Sequence, residues 1–393
     1  MNTTQAIFHR PQMAQALAQK LLRPNAFEVT VRDGLFITGI RRIGKTTFLR
    51  QDLIPELEKE GAIVIYADLW ADVADRSPVK NVLRAIHTTL HGVQRSSYDL
   101  DRIKVSLPLI SFSFDIDKIG NDNGVSIAEA FVELISKSNR NVVLIIDEIQ
   151  QTLRSHVGKE LLLALKAARD AVNLRPNNIN GTYLLIVGTG SHRSFVTAMA
   201  SRSSQPFYGA DRIDYPMLGK DYIDWQINEL LKLPSTDEKR IPSQKALIEG
   251  FGTLGCRPRS FLQVLTLLQE YPGKEVDLAF LSNCTNQARN DASETIQPIA
   301  TQDRLTKLLF SEIAKAGKLG LDNLFSSDFL MRLRKELNQQ LPVKVSTVQS
   351  KLNQMQRKDW IYPISYGCYA VSDPQVAAVW CANAQDYLQD PPA

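Results

Sequence analysis

One run of residues has the types and the spacing that bind the phosphate groups of a nucleotide. Gly39 and Gly44 enclose four residues, and Lys45 and Thr46 follow at once, which gives the pattern G-x-x-x-x-G-K-T. Glycine lets the backbone turn tightly, so that successive N–H groups face one anion. The lysine ammonium would bind the β- and γ-phosphate oxygens, and the threonine hydroxyl would bind Mg²⁺. The predicted nucleotide-binding residues of this run are Gly39, Ile40, Arg41, Arg42, Ile43, Gly44, Lys45, Thr46 and Thr47.

An acidic pair could complete the chemistry of phosphate hydrolysis. Asp147 and Glu148 directly follow the apolar run at residues 142–146. An aspartate at the tip of a buried strand suits a contact to Mg²⁺, and the neighbouring glutamate can polarise an attacking water. We therefore predict ATP and Mg²⁺ as cofactors, Thr46 and Asp147 as metal ligands, and Lys45, Asp147 and Glu148 as catalytic residues. The alternative is a charged loop that merely follows a strand.

The elements that must position these residues can be read from the hydrophobic pattern. Short apolar runs predict strands at residues 35–38, 62–66, 142–146 and 183–187, and helical periodicity predicts helices at residues 50–60, 77–90, 126–138 and 158–172. Their alternation indicates an α/β protein with a doubly wound parallel sheet. Ligands of such sheets bind at the carboxyl ends of the strands, where Lys45, Asp147 and Ser191 would meet. Ser191, or Thr189 near it, would contact the γ-phosphate, although Ser191 could equally cap the next helix.

These motifs resemble those of a known family. Residues 39–49, Gly-Ile-Arg-Arg-Ile-Gly-Lys-Thr-Thr-Phe-Leu, look like the phosphate loop of archaeal-type AAA ATPases, which are similar to the STAND and Orc/Cdc6 branches of the AAA+ class. Residues 144–150, Leu-Ile-Ile-Asp-Glu-Ile-Gln, look like the family's Walker B motif. Weaker similarity is found at residues 188–191, 205–209, 216–218 and 255–259. The resemblance runs from about residue 8 to about residue 380. It implies a P-loop NTPase core of AAA+-like type, a helical lid and a C-terminal winged helix-turn-helix domain.

The resemblance also implies arginines that contact the γ-phosphate. Arg202 and Arg212 are the candidates for an arginine finger from a neighbouring subunit, and Arg257 and Arg259 are the candidates for a contact from the lid. Two residues separate Arg212 from the Tyr-Gly pair that the family's arginine follows directly, and Cys256 replaces the second glycine of the lid motif. Each of these arginines could instead be a solvated surface residue.

The pattern along the chain predicts three domains. The AAA+-like core would comprise residues 1–218, the helical lid residues 219–298, and the winged helix residues 299–393. Within the core, period-two alternation and a turn predict an inserted β-hairpin at about residues 103–124. This hairpin would be an edge ribbon packed on the core, or a contact to DNA or to a partner.

The predicted winged helix rests on a change of pattern near the C-terminus. Helices are predicted at residues 302–316 and 327–338, and a capping box at Ser346 opens a third helix. The buried stripe of that helix would be formed by Val348, Leu352 and Met355. Two short strands around Gly367 would form the wing.

A local excess of positive charge indicates the kind of partner that this module would bind. Residues 331–358 contain seven lysines and arginines but only one acidic residue, Glu336. Double-stranded DNA could be bound here through Lys344, Lys351, Arg357 and Lys358. The alternative is that the module packs within the chain or docks a protein.

The composition and the spacing of cysteine and histidine limit which class of protein the chain can belong to. The chain has 393 residues, of which 44% are apolar, as in ordinary globular proteins. It has no apolar run of about 18 residues and no signal-peptide pattern, so we predict a cytoplasmic protein without a membrane partner. The four cysteines lack metal-type spacing, and His87 and His91 lack the glutamate of a zinc-protease helix.

Together these features predict an ATP-hydrolysing switch that self-associates on binding ATP. Its winged helix would couple nucleotide state to DNA association or assembly, in machinery of a mobile-element, replication or defence type. The alternative is a STAND-like signalling ATPase whose winged helix docks a protein partner or an effector. A third interpretation is a nucleotide-binding scaffold with negligible turnover.

Overall fold

Two units, each with its own packing, make up the described part of the chain. The computed structural model describes residues 6–70, 77–95, 98–100, 103–105, 110–121, 123–176, 181–234, 236–269 and 275–388. We call residues 9–39 and 44–215 the sheet unit, and the described residues of 1–8, 40–43 and 216–393 the helical unit.

The helices and strands alternate in the first half of the chain, and helices dominate the second half. The strands are β1 Leu35–Thr38, β2 Ile63–Asp68, β3 Tyr98–Leu100, β4 Ile103–Val105, β5 Val142–Asp147, β6 Leu184–Gly190, β7 Asp211–Asp214, β8 Ile361–Ser365 and β9 Cys368–Val371. The helices are α1 Pro11–Leu22, α2 Lys45–Phe48, α3 Ile54–Lys59, α4 Pro78–Gln94, α5 Ile127–Ser138, α6 His156–Asn173, α7 Arg193–Ser201, α8 Lys220–Leu231, α9 Gln244–Thr253, α10 Pro258–Gln269, α11 Val276–Ala300, α12 Arg304–Ala316, α13 Ser327–Glu336, α14 Val345–Arg357, α15 Pro374–Ala382 and α16 Ala384–Leu388. In the described ranges, no helix combines the length and the apolar character that crossing a membrane requires.

Five parallel strands form the sheet, in the order β2-β5-β6-β1-β7. Leu144 and Ile146 of β5 face a core that also contains side chains of α4, α5 and α6. The intervening Val143 and Ile145 are also fully buried, so the strand is covered on both faces. This burial explains why the strand is a continuous apolar run rather than an alternating one. The predicted doubly wound parallel sheet is confirmed, with β1, β2, β5 and β6 at the predicted places.

The edge strand β7 is not predicted from the sequence. Its residues, Asp-Arg-Ile-Asp, contain a single apolar side chain. The strand pairs with β1 through its backbone, with Leu35 opposite Asp211 and Thr38 opposite Asp214. Backbone pairing at an edge requires no apolar side chains, so charged residues are tolerated there.

The inserted hairpin begins earlier than predicted. Its strands are β3 and β4, in which Tyr98 pairs with Val105. Residues 106–109 of the predicted hairpin lie outside the described residues. The described residues 110–121 form no strand but include the 3₁₀ helix Ile116–Lys118, so the prediction is wrong for this part. The apolar residues that alternate there, including Ile110 and Ile116, instead pack into the core of the sheet unit.

In the helical unit, α11 is shared by two hydrophobic cores. Phe280 and Cys284, in its first half, pack in a core with residues of α8, α9 and α10. Ala292 and Ile299, in its second half, pack in a core with residues of α12 to α15. The predicted boundary between lid and winged helix, after residue 298, lies inside α11, which ends at Ala300 and packs in both cores.

The C-terminal elements agree with the predicted winged helix. Three helices, α12 to α14, are followed by the antiparallel pair β8 and β9, and Leu321 forms an additional antiparallel bridge to Tyr369. The buried stripe of α14, formed by Val348, Leu352 and Met355, is confirmed. The capping box is wrong, because α14 begins at Val345 and its N-cap residue, Lys344, forms no side-chain cap.

Glu58 on α3 is a buried carboxyl group that lacks a full set of hydrogen bonds. Its Oε1 has no partner among the described residues, and burial raises its pKa from 4.5 to about 7. The folded protein therefore binds this proton more tightly than the unfolded chain does. Stability linked to Glu58 is present below about pH 4.5 and decreases as the pH rises to about 7.

We expect Glu58→Gln to raise Tm at pH 8 by roughly 2–4 °C and to change it little at pH 5, because the amide stays neutral. Calorimetry at the two pH values measures this difference. Glu56→Gln on the same helix is the control, since Glu56 forms a surface ion pair with Lys59. Equal shifts of Tm at both pH values for Glu58→Gln would contradict the assignment.

Candidate active site

The phosphate loop joins β1 to α2 in the predicted way. Gly44 has a φ of 93°, a left-handed conformation that favours glycine, and α2 begins at the next residue. Lys45 is buried, and its Nζ donates a hydrogen bond of 2.8 Å to the carbonyl oxygen of Gly39. Of the remaining loop residues, Ile40 and Ile43 are buried, and Arg41, Arg42, Thr46 and Thr47 are exposed. The ammonium group is therefore held across the loop that would receive the phosphates.

Asp147, at the end of β5, is the centre of a hydrogen-bonded cluster. Its Oδ2 accepts hydrogen bonds from the hydroxyl of Thr46 at 2.7 Å and from that of Tyr66 at 3.0 Å. Its Oδ1 accepts from the hydroxyl of Thr189 and from the backbone N–H of Glu148. Four donors compensate the desolvation of a carboxylate that is only 2% exposed. The structure thus brings together the predicted metal ligands, Thr46 and Asp147.

Tyr66 belongs to this cluster, although its role is not predicted from the sequence. It lies on β2, which pairs in register with β5, so that Asp68 is opposite Asp147. Burial and the negative charges of Asp147 and Asp68 raise the pKa of the Tyr66 hydroxyl above its ordinary value. The group therefore remains protonated and donates to the carboxylate.

Glu148 has a distinctive backbone and two side-chain donors. Its φ of 58° lies in the left-handed region, which is uncommon for a residue other than glycine. Its Oε2 accepts hydrogen bonds from the Ser191 hydroxyl at 3.1 Å and from the Gln150 amide. Ser191 does not cap the next helix, because the N-cap of α7 is His192. The structure therefore places Ser191 beside the predicted general base.

The four predicted arginines differ in their surroundings. Arg202 follows α7, Arg212 lies on β7, and both are exposed, as is Arg259. Arg257 is buried and forms an ion pair with Asp373, with Asp291 at 3.9 Å. Its guanidinium group is thus engaged inside the helical unit, which disagrees with the predicted contact to the nucleotide.

The sequence of the sheet unit matches a known domain. Residues 25–189 match the family model of an ATPase domain that occurs predominantly in Archaea. The match includes the phosphate loop, the Asp147–Glu148 pair and Thr189. Residues 25–189 therefore form an ATPase domain of this family, which occurs predominantly in Archaea. The predictions of the family and of an ATP-hydrolysing enzyme are confirmed for this domain. No curated protein matches the sequence.

Solved structures are similar to this ATPase over nearly the whole chain. A Walker-type ATPase of Pyrococcus abyssi is 19% identical with a TM-score of 0.55, and 95% of each chain is covered. The ORC2 protein of Aeropyrum pernix in its ADP form is 13% identical with a TM-score of 0.55, covering 99% of this chain and 96% of that one. Its ADPNP–ADP complexes are 14% identical with a TM-score of 0.53, covering 98% and 95%. At such low identity the similarity concerns the fold.

We expect Tyr66→Phe to raise the Mg²⁺ concentration needed for half-maximal ATPase activity by about 10-fold, because Asp147 loses one of its fixing donors. Initial rates over a Mg²⁺ titration at saturating ATP measure this change. Tyr183→Phe is the matched control, since the Tyr183 ring stacks under Arg32 elsewhere in the sheet unit. An unchanged Mg²⁺ requirement in Tyr66→Phe would show that Tyr66 does not support Asp147.

Proposed function

We propose that the protein is an ATP-driven switch whose nucleotide state controls association with double-stranded DNA through its winged helix. The ATP-dependent part of this proposal is supported above all by the hydrogen bond between Thr46 of the phosphate loop and Asp147 of β5. This hydrogen bond joins the phosphate loop to the acidic end of β5, and Glu148 is the next residue after Asp147.

The donor set at this position suits Mg²⁺. A hydroxyl oxygen and a carboxylate oxygen, 2.7 Å apart, are the hard oxygen ligands that this cation prefers. Thr46 would hold the ion directly, and Asp147 would hold it through water. When bound, the ion neutralises charge that develops on the β- and γ-phosphates.

Hydrolysis would then follow from the positions of Lys45 and Glu148. Glu148 accepts a proton from water while the water oxygen bonds to the γ-phosphorus, and the bond from that phosphorus to the β,γ-bridging oxygen breaks. The products are ADP and inorganic phosphate. Lys45 binds γ-phosphate oxygens and stabilises their negative charge.

Self-association on binding ATP could supply a further positive charge. Arg202 and Arg212 are exposed, and either could reach the γ-phosphate of a neighbouring subunit. Arg259 is the better candidate for a contact from the lid, because Arg257 is already ion-paired.

We expect Glu148→Gln to lower kcat by at least about 100-fold while ATP affinity stays within about 3-fold, because the amide cannot accept the proton. Lys45→Ala should instead weaken ATP binding itself. Binding of a fluorescent ATP analogue and steady-state turnover separate the two effects. Turnover by Glu148→Gln at the wild-type rate would rule out the general base, and undiminished ATP affinity in Lys45→Ala would rule out the phosphate site.

The DNA-binding part of the proposal rests on the exposed side of α14. Polar side chains occupy it at helical spacing and line a groove with a volume of about 500 Å³: Ser346, Gln349, Ser350, Asn353, Gln354, Arg357 and Lys358. The opposite side of the helix is fully buried. Such a polar and basic helix face can contact phosphates and base edges in a major groove.

Lys351 is less available to DNA than the sequence indicates. Its Nζ forms an ion pair of 2.6 Å with Asp303, and its side chain is 26% exposed. Arg357 and Lys358 are exposed and lie beside the groove. They are therefore the residues on which we base the test of DNA binding.

We expect Arg357→Gln/Lys358→Gln to weaken binding to duplex DNA and to lower the slope of log K against log salt by about 2, one for each lost phosphate contact. Fluorescence anisotropy at several salt concentrations measures both. The control is Lys245→Gln, which removes an exposed charge from α9.

The second candidate function, docking of a protein partner, is favoured by apolar side chains near the wing. Tyr366 and Leu319 are almost completely exposed, and Ile364 is 40% exposed. If wild-type protein has no salt-dependent DNA affinity, or if the double variant and the control lose the same affinity, the DNA proposal fails. ATP-driven oligomerisation without DNA affinity would then support protein docking.

A further inference from the structure

Gln150 is a buried polar residue that the mechanism above does not use. It is 2% exposed and lies in the 3₁₀ helix Ile149–Arg154 that follows β5. Its Nε2 donates hydrogen bonds to the Glu148 carboxylate and, at 3.4 Å, to the Ser191 hydroxyl. Ser191 in turn donates to the same carboxylate oxygen at 3.1 Å. The three side chains are therefore hydrogen-bonded to one another and form one set.

Each hydrogen-bond donor of this set has an acceptor within it. The Gln150 amide has two hydrogens, one for Glu148 and one for Ser191, and the serine hydroxyl passes its single hydrogen to Glu148. Both partners donate to Oε2 of Glu148, so the hydrogen bonds fix this oxygen and leave Oε1 outside the set.

Packing alone does not account for a glutamine at position 150. Its Oε1 is buried without a hydrogen-bond partner among the described residues, which costs free energy that an apolar side chain would avoid. The neighbouring strand also accommodates it, because a Cβ at Gly190 would collide with Oε1 of Gln150. Gln150 is costly to bury, and the glycine at position 190 leaves room for its side chain, so its role goes beyond packing.

We propose that Gln150 is a positioning residue for Glu148. By binding Oε2 together with Ser191, it restricts the rotation of the carboxylate and leaves Oε1 to receive the proton of the attacking water. This inference rests on the proposed function, since it presupposes that Glu148 is the general base. Fixing a reacting group in one orientation is worth up to about 100-fold in rate.

The decisive variant is Gln150→Met, which keeps the length of the side chain and removes both donors. We expect kcat to decrease by about 10–100-fold while ATP affinity stays within about 3-fold. Gln150→Asn retains the amide but withdraws it by one methylene, so its kcat should lie between those of Gln150→Met and the wild type. Gln151→Met is the control, because the amide nitrogen of the adjacent Gln151 has no hydrogen-bond partner among the described residues.

A double variant separates positioning from a general structural effect. In a Glu148→Gln background, Gln150→Met should change the residual rate by less than about 2-fold, because Gln150 acts only through the carboxylate. Thermal unfolding and binding of a fluorescent ATP analogue show whether each variant is folded and able to bind nucleotide.

The possible results distinguish a positioning role of Gln150 from a structural role and from failure of the proposed function. Wild-type kcat in Gln150→Met, with Glu148→Gln inactive, overturns the positioning role and leaves the general base intact. Loss of ATP affinity or a collapse of Tm in Gln150→Met, or an equal loss of kcat in Gln151→Met, also overturns it and indicates a structural role. Full activity of Glu148→Gln overturns the proposed function itself.

Discussion

A buried carboxylate must be hydrogen-bonded, and at Asp147 this requirement determines how the tip of the sheet is built. The donors come from three different elements: Thr46 from α2, Tyr66 from β2 and Thr189 from β6. Strands β2 and β6 are the two neighbours of β5 in the sheet. The Asp147 carboxylate therefore connects these three strands to the phosphate loop through hydrogen bonds. Loss of the strand order would leave the carboxylate without its partners, and an unpaired buried charge is strongly destabilising.

This constraint explains why the motif residues could be predicted and their neighbours could not. The Gly39–Thr47 run and the Asp147–Glu148 pair are local in sequence, and their chemistry follows from residue type and spacing. Tyr66 acquires its contact only because β2 pairs with β5 in a particular register. That register is a property of the assembled sheet, so the sequence around Tyr66 contains no sign of it. Gln150 lies within the family-like motif, yet its partners become evident only when Ser191, on a separate segment, is in place.

The same distinction holds for the fold. Strands buried on both faces are predicted because burial demands an apolar run, as in residues 142–146. The edge strand β7 is not predicted because it depends on backbone pairing with β1. The structure of residues 110–121 is not predicted because it depends on packing in the core of the sheet unit. Arg257 is the clearest case, since its partner Asp373 is separated from it by more than a hundred residues. Residue type alone could not distinguish this buried ion pair from a phosphate contact.

The sharing of α11 between two cores has a mechanical consequence. A continuous helix of 25 residues is a stiff rod about 37 Å long. Its first half packs among α8 to α10, and its second half packs among α12 to α15. A tilt of either group of helices therefore moves α11 as well. A tilt of about 10° at one end moves the other end by about 6 Å, given the rise of the helix. Because α11 is continuous, a small rotation of the core around α8 to α10 would displace the core around α12 to α15.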